Sequence, residues 1–252
     1  MSSAYLLVSH GSRDPRPEIA MQQLAGLVRN KLLNRYNQVA SNGGVVSPHC
    51  EKLVGIAYLE VSSEPLHEQI RQFAKSAFAS ECDRLNIIPL FLLPGVHVMT
   101  DIPAEVALAQ QAIGQDLMID LRPYLGSYPS LGKLLAKSMA AIKAEVWILL
   151  AHGSSRPGSQ QPVEAMAASL GAVAAYWAVP PSLESRVKEL VVAGYREIAI
   201  LPYFLFPGGI TDAIAQSIEE LKLQFPMVTF QLAKPLGAST ELAELILDLV
   251  DR

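Results

Sequence analysis

The sequence predicts an α/β protein made of two similar α/β/α halves with parallel sheets, and three observations carry that reading. Apolar runs of strand length, such as Tyr5-Leu6-Leu7-Val8 and Val146 to Leu150, lack polar alternation. That is the pattern of strands covered on both faces. Each run ends in small or polar residues and leads into a stretch of helical periodicity, an order that implies right-handed crossovers. The whole order then restarts near residue 144, so the chain carries an internal duplication.

In the first half, the strand ending at Val8 is followed by Ser9-His10-Gly11-Ser12-Arg13, a loop at the end of the sheet where open α/β folds place ligands. Pro15 and Pro17 punctuate the entry to a helix over Glu18 to Arg35, with apolar residues at Ile19, Leu24, Leu27, Val28, Leu32 and Leu33. Asn37 to Cys50, rich in Ser, Asn and Gly, reads as loop. Leu53 to Val61 (LVGIAYLEV) is the second strand, and Ser62-Ser63-Glu64-Pro65 opens a helix to about Phe78. Asn86 to Leu93 is a third strand, followed by the loop PGVHVMTD and a helix from Ile102-Pro103. A short strand, Leu117 to Leu121, precedes a helix reaching about Lys143.

The second half repeats these landmarks in order. Val146 to Pro157 (VWILLAHGSSRP) matches the opening strand and loop, His152 for His10 and Gly153 for Gly11. AYWAV (Ala175 to Val179) answers AYLEV (Ala57 to Val61), and Leu201 to Ile214 answers Ile88 to Pro103. Leu232 to Leu242 answers Leu121 to Leu131. The expected halves are 1–143 and 144–252, two domains facing a shared cleft.

Composition narrows the function classes. Of 252 residues half are hydrophobic and 17% charged, enough for a sizeable core. A net charge of -4 gives no general attraction for nucleic acid or an anionic membrane, so neither is expected as a partner. The run Asn86 to Met99 is too short for a membrane span and holds two prolines. The start of the chain lacks the pattern of a secretory signal, which makes the cytoplasm the default location. Cys50 and Cys82 have no metal-ligand spacing and are expected to be ordinary thiols.

The duplication works as an internal control on function. Both halves keep the first-loop histidine, His10 and His152. Glu60 of AYLEV becomes Ala178, and His97 of PGVHVMTD has no counterpart in the shorter PGGITD. A structural role shared by both copies would persist in both. The asymmetry therefore points to one chemical site on the first half, with the second catalytically degenerate. Two imidazoles and a carboxylate suit either an open metal site or proton acceptance near neutral pH. Arg13 and Arg156 suit carboxylates or a phosphate, whereas Arg16 fits a surface ion pair. No GxSxG elbow surrounds Ser12 or Ser154, so a serine nucleophile is not expected.

SHGSRDP, AYLEV followed by EPL, and PLFLLPGVHVMTDIP together resemble the class II chelatases of tetrapyrrole synthesis, most of all the long, two-domain sirohydrochlorin chelatases. The resemblance covers essentially the whole chain. It implies two chelatase-like halves with the active site in the cleft between them. It also implies His10, His97 and Glu60 as catalytic and metal-binding residues. Ser12, Arg13, Gly95, His152 and Arg156 would contact the substrate. The spacing from Glu60 to Pro65 is one residue longer than the family's pattern, which leaves Glu64 as the alternative carboxylate. The implied reaction is ATP-independent insertion of Co²⁺ or Fe²⁺ into sirohydrochlorin, with the metal as substrate and no permanently bound cofactor. A carrier of tetrapyrrole or metal and a nickel-inserting relative are the alternatives. A monomer is expected, because the duplication supplies both halves of the cleft.

Overall fold

A computed structural model describes residues 2–41 and 53–250. It contains two parallel four-stranded sheets, each the sheet of one compact unit. The first unit comprises Met1–Tyr128 and Ala238–Arg252, the second Pro129–Gly237. No helix among the described residues is long and apolar enough to cross a membrane.

In the first unit the elements run β1 (Ser3–Ser9), α1 (Pro15–Ser41), β2 (Val54–Tyr58), α2 (Leu66–Ala79), β3 (Arg84–Pro89), α3 (Ile102–Ile113) and β4 (Met118–Leu121). The strand order is β2-β1-β3-β4. The chain leaves β1 toward one edge and later crosses back to β3, so the strand order reverses between β1 and β3. Ligands of open α/β sheets bind above such a point. Ala4, Leu6 and Val8 of β1 face Ile70, Ala74, Ile102 and Val106 of α2 and α3 in one buried cluster. The alternation is that of a strand whose two sides each meet a helix layer.

Elements depart from the sequence reading mainly at their ends. Helix α1 starts at Pro15, the position where a missing N–H is harmless, and continues to Ser41 through residues expected to be loop. The remainder of that expected loop, 42–50, lies outside the described residues. Strand β3 stops at Pro89, although the apolar run continues past the end of the ladder into Phe91-Leu92-Leu93. Apolar length alone does not mark where pairing ends. Cys82 is disulfide-bonded, which corrects its reading as an ordinary thiol, and Cys50 lies outside the described residues.

The second unit holds α4 (Ser130–Ala140), β5 (Val146–Ala151), α5 (Gln161–Ser169), β6 (Val173–Tyr176), α6 (Leu183–Val192), β7 (Glu197–Pro202), α7 (Gly209–Gln224) and β8 (Thr229–Leu232). Its order, β6-β5-β7-β8, repeats that of the first. Ile148 and Leu150 of β5 pack with Val187, Leu190, Ile214 and Ile218 in a second buried cluster.

Sequence repeat and spatial unit part company at the last helix of each half. Helix α4 ends the first repeat but belongs to the second unit, where a Cβ on Gly132 would stand 3.5 Å from Met166 Sδ of α5. Helix α8 (Thr240–Val250) ends the second repeat but packs on α1 in the first unit. Six of its side chains are buried, among them Leu242, Leu245, Ile246 and Leu249. Lys31 pairs with Glu244, and Arg35 reaches Asp248. Tyr128 Oη donates to the Asp248 carbonyl at 2.9 Å. The Arg122 guanidinium donates to the Leu249 and Val250 carbonyls at 2.8 and 3.3 Å, satisfying acceptors that the helix itself leaves open. Arg122→Ala should therefore lower unfolding free energy by about 1–3 kcal/mol, the worth of charged hydrogen bonds to half-buried acceptors, as read by urea denaturation.

Candidate metal centre

The loops after β1, β2 and β3 converge at the reversal of strand order, and each delivers one polar side chain. The backbone ladder between β1 and β2 continues beyond both strands, with Leu59 N–H donating to Ser9 O at 2.9 Å and Glu60 N–H to His10 O at 2.8 Å. Gly11 then crosses over the Glu60 main chain with φ +95°, so close that a Cβ would sit 2.1 Å from Glu60 O. Only glycine fits that crossing. The consequence is one of register: the main chain brings His10 and Glu60 side by side.

His97 arrives from the far side of the reversal, on a single π-helical turn, His97–Asp101, that runs directly into α3. Such turns arise where extra residues are taken into a helix, and they recur at functional sites. Its Nε2 lies 4.0 Å from Glu60 Oε1, and His10 Nε2 lies 3.7 Å from Glu60 Oε2. The imidazoles meet edge to face, centroids 4.9 Å apart at 80°. One ligand atom from each of His10, Glu60 and His97 lies within 4.8 Å of the others, the only such group of three or more among the described residues.

Both imidazoles are turned by bonds on their other nitrogen. His10 Nδ1 is 3.2 Å from Gly11 O, and His97 Nδ1 is 2.8 Å from Asp101 Oδ2. With Nδ1–H donating, each Nε2 keeps its lone pair toward the shared space, the arrangement of a histidine prepared for a metal. Ligands of a tetrahedral ion bound at about 2.0–2.2 Å lie about 3.3–3.6 Å apart. The observed separations, 3.7 and 4.0 Å within a group spanning 4.8 Å, are wider, and the side chains are half open to solvent, at 50% for His10 and 52% for Glu60. Two imidazoles and one carboxylate suit Fe²⁺ or Co²⁺ and leave coordination positions open.

The other expected site residues are distributed around this centre. Glu64 is turned away, accepting from Gln72 Nε2 at 2.7 Å, so it is Glu60 that the fold brings to the imidazoles. Ser12 Oγ accepts from Asp14 N–H at 3.1 Å in the turn before α1. Arg13 and Arg156 are exposed, and neither guanidinium has a hydrogen bond or ion pair among the described residues. Arg16 instead grips Asp14, holding its carboxyl down at about 2. Gly95 is exposed, and a Cβ there would meet nothing within 4 Å. Phe91 stands beside His97 at 6.3 Å, and Met99 of the π turn is exposed.

In the second unit His152 repeats the posture of His10, its Nδ1 3.0 Å from Gly153 O. Ala178 N–H donates to His152 O at 2.9 Å, the counterpart of the Glu60 bond, so Ala178 occupies the register position of the carboxylate. Gly153 is also left-handed, at φ +82°, though a Cβ there would meet the Val179 and Tyr176 side chains and not main chain. Asp101, bonded to His97, is a neighbour of the candidate centre that the sequence reading does not single out; its signal is a carboxylate four places after His97, on the same helical face.

The CbiX family model matches residues 4–142 and again residues 146–252, once for each repeat. A sirohydrochlorin ferrochelatase of Priestia megaterium is 24% identical over 204 residues, covering 76% of this chain and 74% of that protein. A sirohydrochlorin cobaltochelatase of the same organism is 23% identical over 193 residues, covering 70% of this chain and 63% of its own length. Among solved structures, SirB from Bacillus subtilis with Fe³⁺ superposes with a TM-score of 0.75 at 22% identity, covering 100% of this chain and 95% of that one. SirB from Bacillus subtilis subspecies spizizenii in complex with cobalt gives 0.69 at 21% identity, covering 100% and 94%. At these identities the structural likeness establishes the fold.

The crossing at Gly11 generates a test. Gly11→Ala should destabilise the chain by about 1–3 kcal/mol or more, since the residue must adopt a left-handed conformation against a backbone carbonyl. It should also weaken Co²⁺ binding by displacing Glu60. Urea denaturation and calorimetric titration with Co²⁺ read the two effects separately.

Proposed function

We propose that this chain, which belongs to the CbiX family, inserts Co²⁺ or Fe²⁺ into sirohydrochlorin without ATP. The observation that carries this reading is the convergence of His10, Glu60 and His97 in one unit, in a family whose named relatives include a sirohydrochlorin ferrochelatase and a cobaltochelatase. Metal insertion has two chemical requirements: the ion must shed water stepwise, and the macrocycle must lose two pyrrolic protons. Neutral imidazole nitrogens serve both, as weak donors to the arriving ion and as acceptors of a released proton. The Glu60 carboxylate balances the ion's charge while its water is being replaced.

The separations support transit more than storage. A site wider than a closed tetrahedron, made of half-exposed side chains on loops, holds an ion without enclosing it. The uncommitted guanidiniums of Arg13 and Arg156 are suited to the carboxylates of an anionic macrocycle despite the acidic total charge. Ser12 and Gly95 are further proposed substrate contacts. The metal is substrate, and the reading requires no resident cofactor and no second copy of the chain, since one unit supplies all three donors. Cytoplasmic residence is part of the proposal.

The first half, 1–143, carries the chemistry in this reading, and the second, 144–252, is catalytically degenerate. His152 has no carboxylate beside it, because Ala178 stands there, and the second half has no equivalent of His97. A single imidazole holds a divalent ion poorly.

Anaerobic incubation with sirohydrochlorin and each of Co²⁺, Fe²⁺ and Ni²⁺, followed by absorption, tests the activity and its metal preference. His10→Ala and His97→Ala should each lower the insertion rate by about a hundredfold or more. Wild-type rates in a folded His97→Ala chain would overturn the assignment, and metal or tetrapyrrole binding without turnover would make the chain a carrier.

In the same assay Glu60→Gln should slow insertion more than Glu64→Gln, and the reverse ranking would move the acidic role to Glu64. His152→Ala should cost far less than His10→Ala. Equal losses in equally folded variants would mean that both halves share the chemistry.

A further inference from the structure

We infer that Asp101 is a positioning residue for metal capture: its carboxylate fixes the ring orientation and tautomer of His97, so that Nε2 faces Glu60 and His10 with its lone pair free. This rests on the reading of His10, Glu60 and His97 as the ion's donors. Three observations support it. Asp101 Oδ2 is 2.8 Å from His97 Nδ1, whereas the corresponding nitrogen of His10 has only a main-chain carbonyl, at 3.2 Å. His97 therefore has the better hydrogen-bond acceptor of the two, a full negative charge at short range.

The carboxylate is also not explained by a capping role. Asp101 immediately precedes α3, yet its own backbone is helical, φ -69° and ψ -52°, and its side chain caps no backbone N–H. The π turn merges into α3 without an exposed N-terminus for Asp101 to serve. At the corresponding start of α7 in the second unit a side chain does cap: Thr211 Oγ1 accepts from Gly208 N–H at 2.8 Å.

The duplication supplies the third observation. Pro94 to Asp101 is two residues longer than Pro207 to Asp212, and the aspartate persists in both copies. The added length forms the π turn and brings a histidine to the position four residues before the aspartate. In the second half the place four residues before Asp212 is Gly208, with no ring to orient. The extra residues of the first half thus create a histidine–carboxylate pair. Carboxylates bound to the outer nitrogen of a ligating histidine hold the ring and raise its basicity as a donor.

Calorimetric titration of the full chain with Co²⁺ alone, under anaerobic conditions, reads the effect without turnover. Asp101→Ala should weaken Co²⁺ binding about 10–100-fold. Asp101→Asn keeps an acceptor oxygen but loses the charge, and should recover part of that loss. Imidazole ¹⁵N spectra should show His97 protonated at Nδ1 in the wild type and in Asp101→Asn, and redistributed toward Nε2–H in Asp101→Ala. A purely structural carboxylate would not move that signature. If Asp101→Ala does not fold, Asp101→Leu, of similar size and without an acceptor, takes its place. Co²⁺ affinity within twofold of wild type in the Ala or Leu chain, or equal losses for Asn and Ala, would overturn the inference. His97→Ala separates the two levels of the argument. If it binds Co²⁺ as tightly as wild type, the donor assignment itself fails. If it binds weakly while Asp101→Ala binds normally, only the positioning role fails.

Discussion

The main-chain crossing at Gly11 is the constraint on which the candidate centre depends. Two carbonyl–amide bonds carry the β1–β2 ladder past its strands, and Gly11 then passes over Glu60 at a distance that admits no side chain. Because His10 and Glu60 are placed by backbone, their relative position does not rely on packing of the exposed side chains. The reversal of strand order between β1 and β3 supplies the remaining donor from the other direction. Two ordinary features of a parallel sheet, a prolonged ladder and a topological switch, thus bring together three groups that are distant in sequence.

The second unit shows how much of this is fold and how much is chemistry. It repeats the strand order, the ladder extension, the left-handed glycine and the histidine bonded to its neighbouring carbonyl. What differs at the candidate site is alanine in place of the carboxylate and a path into α7 that is two residues shorter. The backbone arrangement therefore persists without the donor set. Gly153 still meets Tyr176 and Val179 in a crossing that glycine alone allows, so the loop geometry has a structural justification in both copies.

Much of this was legible in the sequence, for identifiable reasons. Doubly covered strands announce themselves as unbroken apolar runs, and the repeat singled out the candidate donors by comparison of His10 with His152 and Glu60 with Ala178. Three things were not legible. The exchange of α4 and α8 between units was hidden, because similarity follows descent while contact follows which sheet a helix covers. Which of Glu60 and Glu64 stands beside His10 depends on a ladder register that the sequence does not spell out, and Glu64 is bonded to Gln72 instead. Asp101 was overlooked because its meaning lies in helical phase: four residues after a histidine is remote along a loop and adjacent on a turn. Reading PGVHVMTD as loop removed the very periodicity that would have paired them.

The same geometry accounts for why such a centre sits on loops and not in the core. A buried set of two imidazoles and a carboxylate would need its partners fully satisfied, and an ion bound there would be enclosed and slow to leave. At the sheet's rim the donors remain hydrated until an ion arrives, so their exposure costs little when the site is empty. Precision then has to come from elsewhere, and here it comes from bonds behind the donors: a carbonyl behind His10, a carboxylate behind His97 and a main-chain ladder behind Glu60. In the proposed reading, bonds behind the donors and an open front would let an ion be oriented without being retained, which is what a reaction that hands its metal onward requires.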